Sequence, residues 1–260
     1  MRLRLGIVAL LVGTLACSGS AAGGLPDLLL PDLDQRPPLA VSVRWSGPKH
    51  QHPLLVFTSS VENVGYGPLI VEGRRRSRRT LTMRADQLIQ LRGGGFHRVI
   101  RVGRLRYNSD PSHSHWHLLP FERYELRTLA GAQLLRDHKS GFCLTSDHRS
   151  PLPTLGPRAP KPIQSECASD RPRALRVLEG IADGWGDIYV PAKEGQAIDI
   201  SGVPPGDYDL VHRVNVGRLL REAVYSNDDS SLRIRLLPPS ATNGLPTVVI
   251  LKTCETGIEC

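Results

Sequence analysis

Lysine is scarce in this chain: five are present (Lys49, Lys139, Lys161, Lys193 and Lys252) against 28 arginines. Genomic base composition accounts for such a bias without any function, but it makes a lysine inside an ordered segment worth examining. Aromatic residues are also few, at 5%, which argues against a base-stacking nucleic-acid surface. No CxxC pair occurs, which argues against a zinc ribbon. No internal repeat is visible, and beyond the N-terminus no apolar run is long enough to cross a bilayer.

Glycine (25) and proline (21) are plentiful, which suits many short strands joined by turns. A chain of 260 residues makes one large β domain or two small ones and can bury a core. The N-terminus reads as a secretory signal over residues 1–22: Arg2 and Arg4, an apolar stretch from Leu5 to Ala16, then Ser18-Gly19-Ser20-Ala21-Ala22. The alternative is a lipid anchor through Cys17, although Thr14-Leu15-Ala16 fits a lipoprotein signal poorly. Cleavage would remove two arginines and no acid, taking the formal charge from +8 to +6. Four cysteines would remain, and an even number in an exported protein suggests two disulfides. Three pairings exist; the most local is Cys143–Cys167 with Cys254–Cys260, the second of which would pin the C-terminus.

Alternation and turn residues predict strands at 40–45, 53–62, 67–72, 80–84, 97–103, 196–201, 207–216, 231–237 and 246–252, with one or two more over 115–128. Residues 145–175, rich in proline, read as loop, and 173–180 as a short helix. The expected fold is all-β: a single β-sandwich-like domain with long loops and little helix. The run Arg74-Arg75-Arg76-Ser77-Arg78-Arg79 falls between two of these strands. It is either a solvated hairpin tip or a patch for an acidic cell-surface polymer.

The richest chemistry lies in His113-Ser114-His115-Trp116-His117-Leu118. Along a strand, side chains at i, i+2 and i+4 share a face at steps of about 6.6 Å, so a bend could bring three imidazoles onto one ion. Neutral imidazole suits copper and zinc, and three ligands leave coordination positions open. Three solvent-facing histidines on a polar strand face are the plainer alternative.

Further segments follow in order: Phe121-Glu122-Arg123-Tyr124-Glu125-Leu126, Asp137-His138-Lys139-Ser140-Gly141-Phe142-Cys143-Leu144, Gly184-Trp185-Gly186-Asp187-Ile188-Tyr189, Ile198 to Tyr208, and Glu222-Ala223-Val224-Tyr225-Ser226-Asn227-Asp228. Together with the histidines they resemble the catalytic domain of the lysyl oxidase family, above all its bacterial members. The resemblance is weak over 26–105 and strong over 113–228, within an expected catalytic domain of residues 23–260.

The resemblance implies a mainly β, secreted, copper-dependent amine oxidase. Such an enzyme takes primary amines, peptidyl lysine among them, to aldehydes with O2 and releases NH3 and H2O2. It implies copper on His113, His115 and His117, and a lysyl tyrosylquinone made from Lys139 and Tyr189, with Trp116 and Trp185 packing nearby. It also implies a Cys143–Cys167 pairing. Where animal members carry a histidine this chain has Arg123, which leaves Glu122, Asp137 and Asp187 as candidate bases. A calcium site is implied at Asp32, Glu222, Asn227 and Asp228. Asp32 is favoured over Asp27 of the other Pro-Asp-Leu triplet, and Val224 stands where an acid is common; an Asn-Asp turn is the alternative. Two other functions use the same residues: a non-enzymatic copper-binding scaffold, and a His₃ zinc hydrolase.

Overall fold

The computed structural model describes residues 27–260 apart from positions 48, 50, 51, 111, 112, 140 and 194. The expected signal at 1–22, with Cys17, lies outside the described residues. In chain order the strands are β1 (Leu28–Leu29), β2 (Leu33–Gln35), β3 (Leu39–Trp45), β4 (Pro53–Asn63), β5 (Leu69–Arg74), β6 (Thr82–Leu91), β7 (Phe96–Tyr107), β8 (Trp116–Leu119) and β9 (Glu122–Thr128). The second half adds β10 (Gln133–Arg136), β11 (His148–Arg149), β12 (Arg176–Ile181), β13 (Trp185–Tyr189), β14 (Ala197–Asp199), β15 (Gly206–Val214), β16 (Asp229–Leu236) and β17 (Val248–Cys254).

These strands form three antiparallel sheets. The first runs β12-β5-β6-β7-β8, with β1 also on β6; the second runs β10-β9-β15-β16-β17; the third runs β11-β13-β4-β14, with β2 and β3 also on β4. The all-β, sandwich-like expectation holds, and the described residues contain no helix. The expected helix at 173–180 is instead strand β12, paired with β5 from Arg176↔Arg74 to Ile181↔Leu69. Its period is two: Val177 and Glu179 are buried while Arg176 and Leu178 are exposed.

Side chains from all three sheets share one core, among them Leu55 and Phe57 of β4, Leu69 and Val71 of β5, Tyr124 and Leu126 of β9, and Leu210 of β15. β4 reads as a near-continuous apolar run, Leu54-Leu55-Val56-Phe57, because its middle is covered on both faces. Its polar end is buried too, so those groups need partners. Asn63 donates to the carbonyls of Gly67 and Ile181 and accepts from the amides of Asp32 and Gly65.

Both local disulfides are present, Cys143–Cys167 and Cys254–Cys260. The first ties the segment after Lys139 to the long loop before β12. The second fastens the C-terminus to the end of β17.

Candidate metal centre and its surroundings

The predicted strand over 115–128 divides into β8 and β9. Of the three histidines only His117 belongs to a strand; His113 and His115 occupy a tight bend ahead of β8, where the His115 amide donates to the His113 carbonyl. That bend, rather than strand alternation, gathers the rings. Their centroids are 4.4, 4.6 and 4.8 Å apart, and one donor atom from each lies within 4.8 Å of the others. His113 Nε2 and His117 Nε2 are 3.0 Å apart. Two nitrogens each ~2.0 Å from a tetrahedral ion are separated by about 3.3 Å, so this donor set suits one transition metal. Burial, then the charges of His113, Lys193 and Lys139, lower His115 to about 4. Burial, then His115, His113 and Lys139, lower His117 to about 3. Both rings are therefore neutral at pH 7, the form that binds metal.

The bend is braced by the disulfide-tied loop. The Asp170 amide donates to the Ser114 carbonyl at 2.8 Å, the Ser114 hydroxyl donates to the Asp170 carboxylate, and the Trp116 amide donates to the Cys167 carbonyl at 2.9 Å. Cys167, Ala168 and Asp170 all have positive φ, a backbone cost met where surrounding structure demands it. Trp116 is fully buried with its indole N–H on the Arg171 carbonyl. Trp185 lies under Arg149, whose guanidinium is 4.3 Å from the ring.

Lys139 and Tyr189 come to the same cavity of about 600 Å³ as the three histidines. Lys139 Nζ lies 4.9 Å from the centroid of the Tyr189 ring and 5.0 Å from that of Phe142. The lysine segment is fixed by Asp137, which accepts from the amides of Tyr124 and Lys139. Gly141 lets it pass beneath β8: a Cβ there would meet His117 Cβ at 2.6 Å, and its φ is +132°. Gly195 leaves room on the other side, where a Cβ would meet Lys139 Cα at 2.9 Å.

β13 presents Tyr189 through its ladder with β4. The phenol oxygen lies 2.8 Å from Asp187 Oδ2 and 2.9 Å from the Cys143 carbonyl. Burial pushes the Asp187 carboxyl well above its usual range. Burial, then the charges of Asp187 and Glu122, push the Tyr189 phenol up as well. Of the three candidate bases, Asp187 is the one hydrogen-bonded to Tyr189. Glu122 is buried, accepts from the Ser59 and Tyr124 hydroxyls, and is raised to about 7, chiefly by burial. Arg123 turns to Glu125, 3.8 Å away.

The four residues expected to hold calcium also meet. Asn227 Nδ2 donates to Asp32 Oδ1 at 2.8 Å, and Glu222 accepts from the Leu33 amide and from Asn215. Asp32, Glu222 and Asp228 are all buried. Burial, then Asp229, raises Asp228 to about 8, and burial, then Asp228, raises Glu222. Oδ1 of Asp228, Asn227 and neighbouring Asp34 has no hydrogen-bond partner among the described residues. Asp27 is elsewhere, paired with Arg92.

Sequence reading missed Asp170, Asp34 and the two spacer glycines. Gly141 and Gly195 carry a signal in their residue type; Asp170 and Asp34 carry none, because their partners are distant in sequence.

The profile of the lysyl oxidase family matches residues 74–240. Similar proteins include lysyl oxidase homolog 2 of Gallus gallus (32% identical over 128 residues, 47% of this chain and 14% of that protein) and of Homo sapiens (29% over 128 residues, the same shares). The Xenopus laevis homolog 2 is 28% identical over 140 residues, 52% of this chain and 16% of that protein. The chain thus matches about a sixth or less of the length of these curated relatives. The family profile covers well over half of the chain and includes the histidine bend, Lys139 and Tyr189; the chain belongs to the lysyl oxidase family.

Proposed function

We infer that this protein is a copper-dependent amine oxidase that converts R-CH2-NH2, O2 and H2O into R-CHO, NH3 and H2O2. The observation that carries this reading is Lys139 Nζ poised 4.9 Å from the Tyr189 ring inside the cavity lined by His113, His115 and His117. Copper would be held by those three histidines. Bound there, it and a lysyl tyrosylquinone made from Lys139 and Tyr189 would supply the O2 and carbonyl chemistry that side chains lack.

The chain's own residues supply position and protons. Asp187 exchanges a proton with the Tyr189 oxygen, and its burial favours the protonated carboxyl. The Cys143 carbonyl and the edge of Phe142, at a ring-centroid distance of 5.0 Å, orient the tyrosine ring. Lys139, on a segment anchored by Asp137, has its amine over that ring.

The substrate is a primary amine, with peptidyl lysine included in the class. An exported setting belongs to the same reading and is supported by the two disulfides. No helix of the described residues is long and apolar enough to cross a membrane. Calcium at Asp32, Glu222, Asn227 and Asp228 is a second part of the proposal. Asp228 is buried with an oxygen that has no hydrogen-bond partner among the described residues, a cost that a bound cation would offset.

The deciding experiment is the visible spectrum of copper-loaded, oxygen-exposed protein before and after phenylhydrazine. A shifted, intense band supports the oxidase. A pale protein indifferent to the reagent points to a copper-binding scaffold, and zinc retention with esterase activity points to a hydrolase.

A further inference from the structure

The first sheet carries an arginine row that runs across four strands. Arg176 of β12 is paired with Arg74 of β5, Arg74 with Arg84 of β6, and Arg84 with Arg104 of β7. Directly opposed residues of an antiparallel ladder project to the same face, so the four guanidinium groups line up over about 14 Å. Two positions along β7, Arg106 is paired with Thr82 on one side and with His117 on the other. Arg106 and His117 line one cavity of about 490 Å³. The row therefore belongs to the face on which His117 lies, and Arg106 extends it to a cavity that shares His117 with the three-histidine cavity. Above it the β5–β6 hairpin adds exposed Arg76, Arg78 and Arg79.

Like charges directly opposed across strands are unfavourable. The fold offsets part of that repulsion with two carboxylates fully covered beneath the arginines. Glu72 is ion-paired with Arg74, Arg98 and Arg176, and Asp86 with Arg84 and Arg98. The carboxylates hold the guanidinium groups in place while leaving them half in water, at 51%, 50% and 57% exposure for Arg74, Arg84 and Arg176. Arg104 and Arg106 are exposed and form no ion pair among the described residues. The result is a pre-ordered array with surplus positive charge. Arg75, although part of the same basic run, is not in the array. Its guanidinium lies 4.8 Å from the Trp116 ring and donates to the carbonyls of Ala174, Pro172 and Thr80.

We propose that this face is a docking site for a linear anionic polysaccharide, laid across β12, β5, β6 and β7 and leading to the histidine cavity. Arginine forks match carboxylate and sulfate groups bidentately, and a line of them fits a chain with repeated anionic groups better than a single anion. The row itself is made of arginines alone, with no aromatic ring on which a base could stack; the exposed apolar side chains of the same strands, Leu178 of β12 and Phe96 and Ile100 of β7, lie outside it. The two disulfides suit an oxidising compartment, where such polysaccharides are the abundant polyanions. The inference does not depend on the oxidase reading: docking would hold the cavity close to material bearing the polysaccharide whatever chemistry follows.

The test titrates polygalacturonate and heparin oligosaccharides into the full-length protein at 0.15 M NaCl. The Arg84→Ser/Arg104→Ser variant is expected to bind about tenfold more weakly, with copper content and thermal midpoint near those of the parent. Arg104→Ser alone, which unpairs no carboxylate, is expected to lose about threefold and keeps the test decisive if the double variant folds poorly. The Arg233→Ser/Arg235→Ser variant removes the same charge from β16, in another sheet, and is expected to bind like the parent. Equal weakening in that control would overturn the proposal, because binding would then follow net charge alone. No measurable binding by the parent would overturn it as well. So would tighter binding to phosphatidylglycerol–phosphatidylcholine vesicles that is lost in Arg84→Ser/Arg104→Ser, since the face would then serve a lipid surface.

Discussion

The Cβ that Gly141 lacks would sit 2.6 Å from the Cβ of His117. Backbone of the lysine segment and a metal-ligand candidate are thus in van der Waals contact, with Lys139 two residues before Gly141 and Phe142 immediately after it. Gly141→Ala must push one of the two away and also strain a backbone at φ +132°. Destabilisation of about 1–3 kcal/mol is expected, with copper affinity down at least ~10-fold because a ligand is misaimed. A competition titration with a copper chelator measures it; unchanged affinity would mean that the contact is not what aligns His117.

Replacing either quinone-precursor candidate should separate metal binding from chemistry. Tyr189→Phe and Lys139→Arg are both expected to abolish amine-dependent peroxide formation and the phenylhydrazine-sensitive band while copper stays stoichiometric. Activity surviving in Tyr189→Phe would remove the basis of the oxidase assignment.

Asp187→Asn keeps the shape beside the Tyr189 oxygen but removes the exchangeable carboxyl proton. Slower appearance of the visible band after copper and O2 are added, by ~10²-fold or more, is expected with little change in copper binding. A normal rate of band formation would exclude Asp187 from that proton exchange.

Stability of the metal-free protein should fall as pH rises from about 6.5 to 8. Glu122 is raised to about 7 and Asp228 to about 8. Carboxyls raised in the folded state stabilise it below their unfolded values and lose that contribution as pH climbs through the folded ones. His115 and His117 are lowered to about 4 and 3. They act in the opposite sense, but only below the ordinary histidine range near 6.5, so the window above it belongs to the carboxyls. Thermal midpoints at pH 6.5 and 8 check this, and calcium added at pH 8 should restore the loss by replacing the protons at Asp228 and Glu222. A flat profile that ignores calcium would leave that cluster as a protonated turn.

The Cys143–Cys167 bond does more than close a loop. Cys143 supplies the carbonyl at Tyr189, and Cys167 the carbonyl at Trp116. Cys143→Ser/Cys167→Ser should cost about 3 kcal/mol, roughly a 10 °C drop in midpoint. A larger loss of copper affinity is expected than from Cys254→Ser/Cys260→Ser, whose bond is remote from the histidines.

Much of this architecture is legible in the chain itself. Alternating apolar residues announced β3, β15, β16 and β17, and a continuous apolar run announced β4, close to their observed bounds, because burial in a sheet has a pattern that the sequence must carry; the strands expected at 80–84 and 97–103 stopped short of β6 (Thr82–Leu91) and β7 (Phe96–Tyr107). The histidines declared a donor set by type and proximity, and the two local disulfides were the nearest pairs. β12 escaped because six residues with one polar buried position, Glu179, hold too short a pattern to separate strand from helix. Tertiary structure alone decided which distant segments meet. The histidine bend closes only because Asp170 and Cys167 brace it, Lys139 reaches Tyr189 only because Gly141 and Gly195 yield space, and Arg176, Arg74, Arg84 and Arg104 form a row only through the registers of three ladders. Sequence spacing records what a residue's near neighbours require; strand order and register depend on how the whole core packs, and no local pattern encodes them.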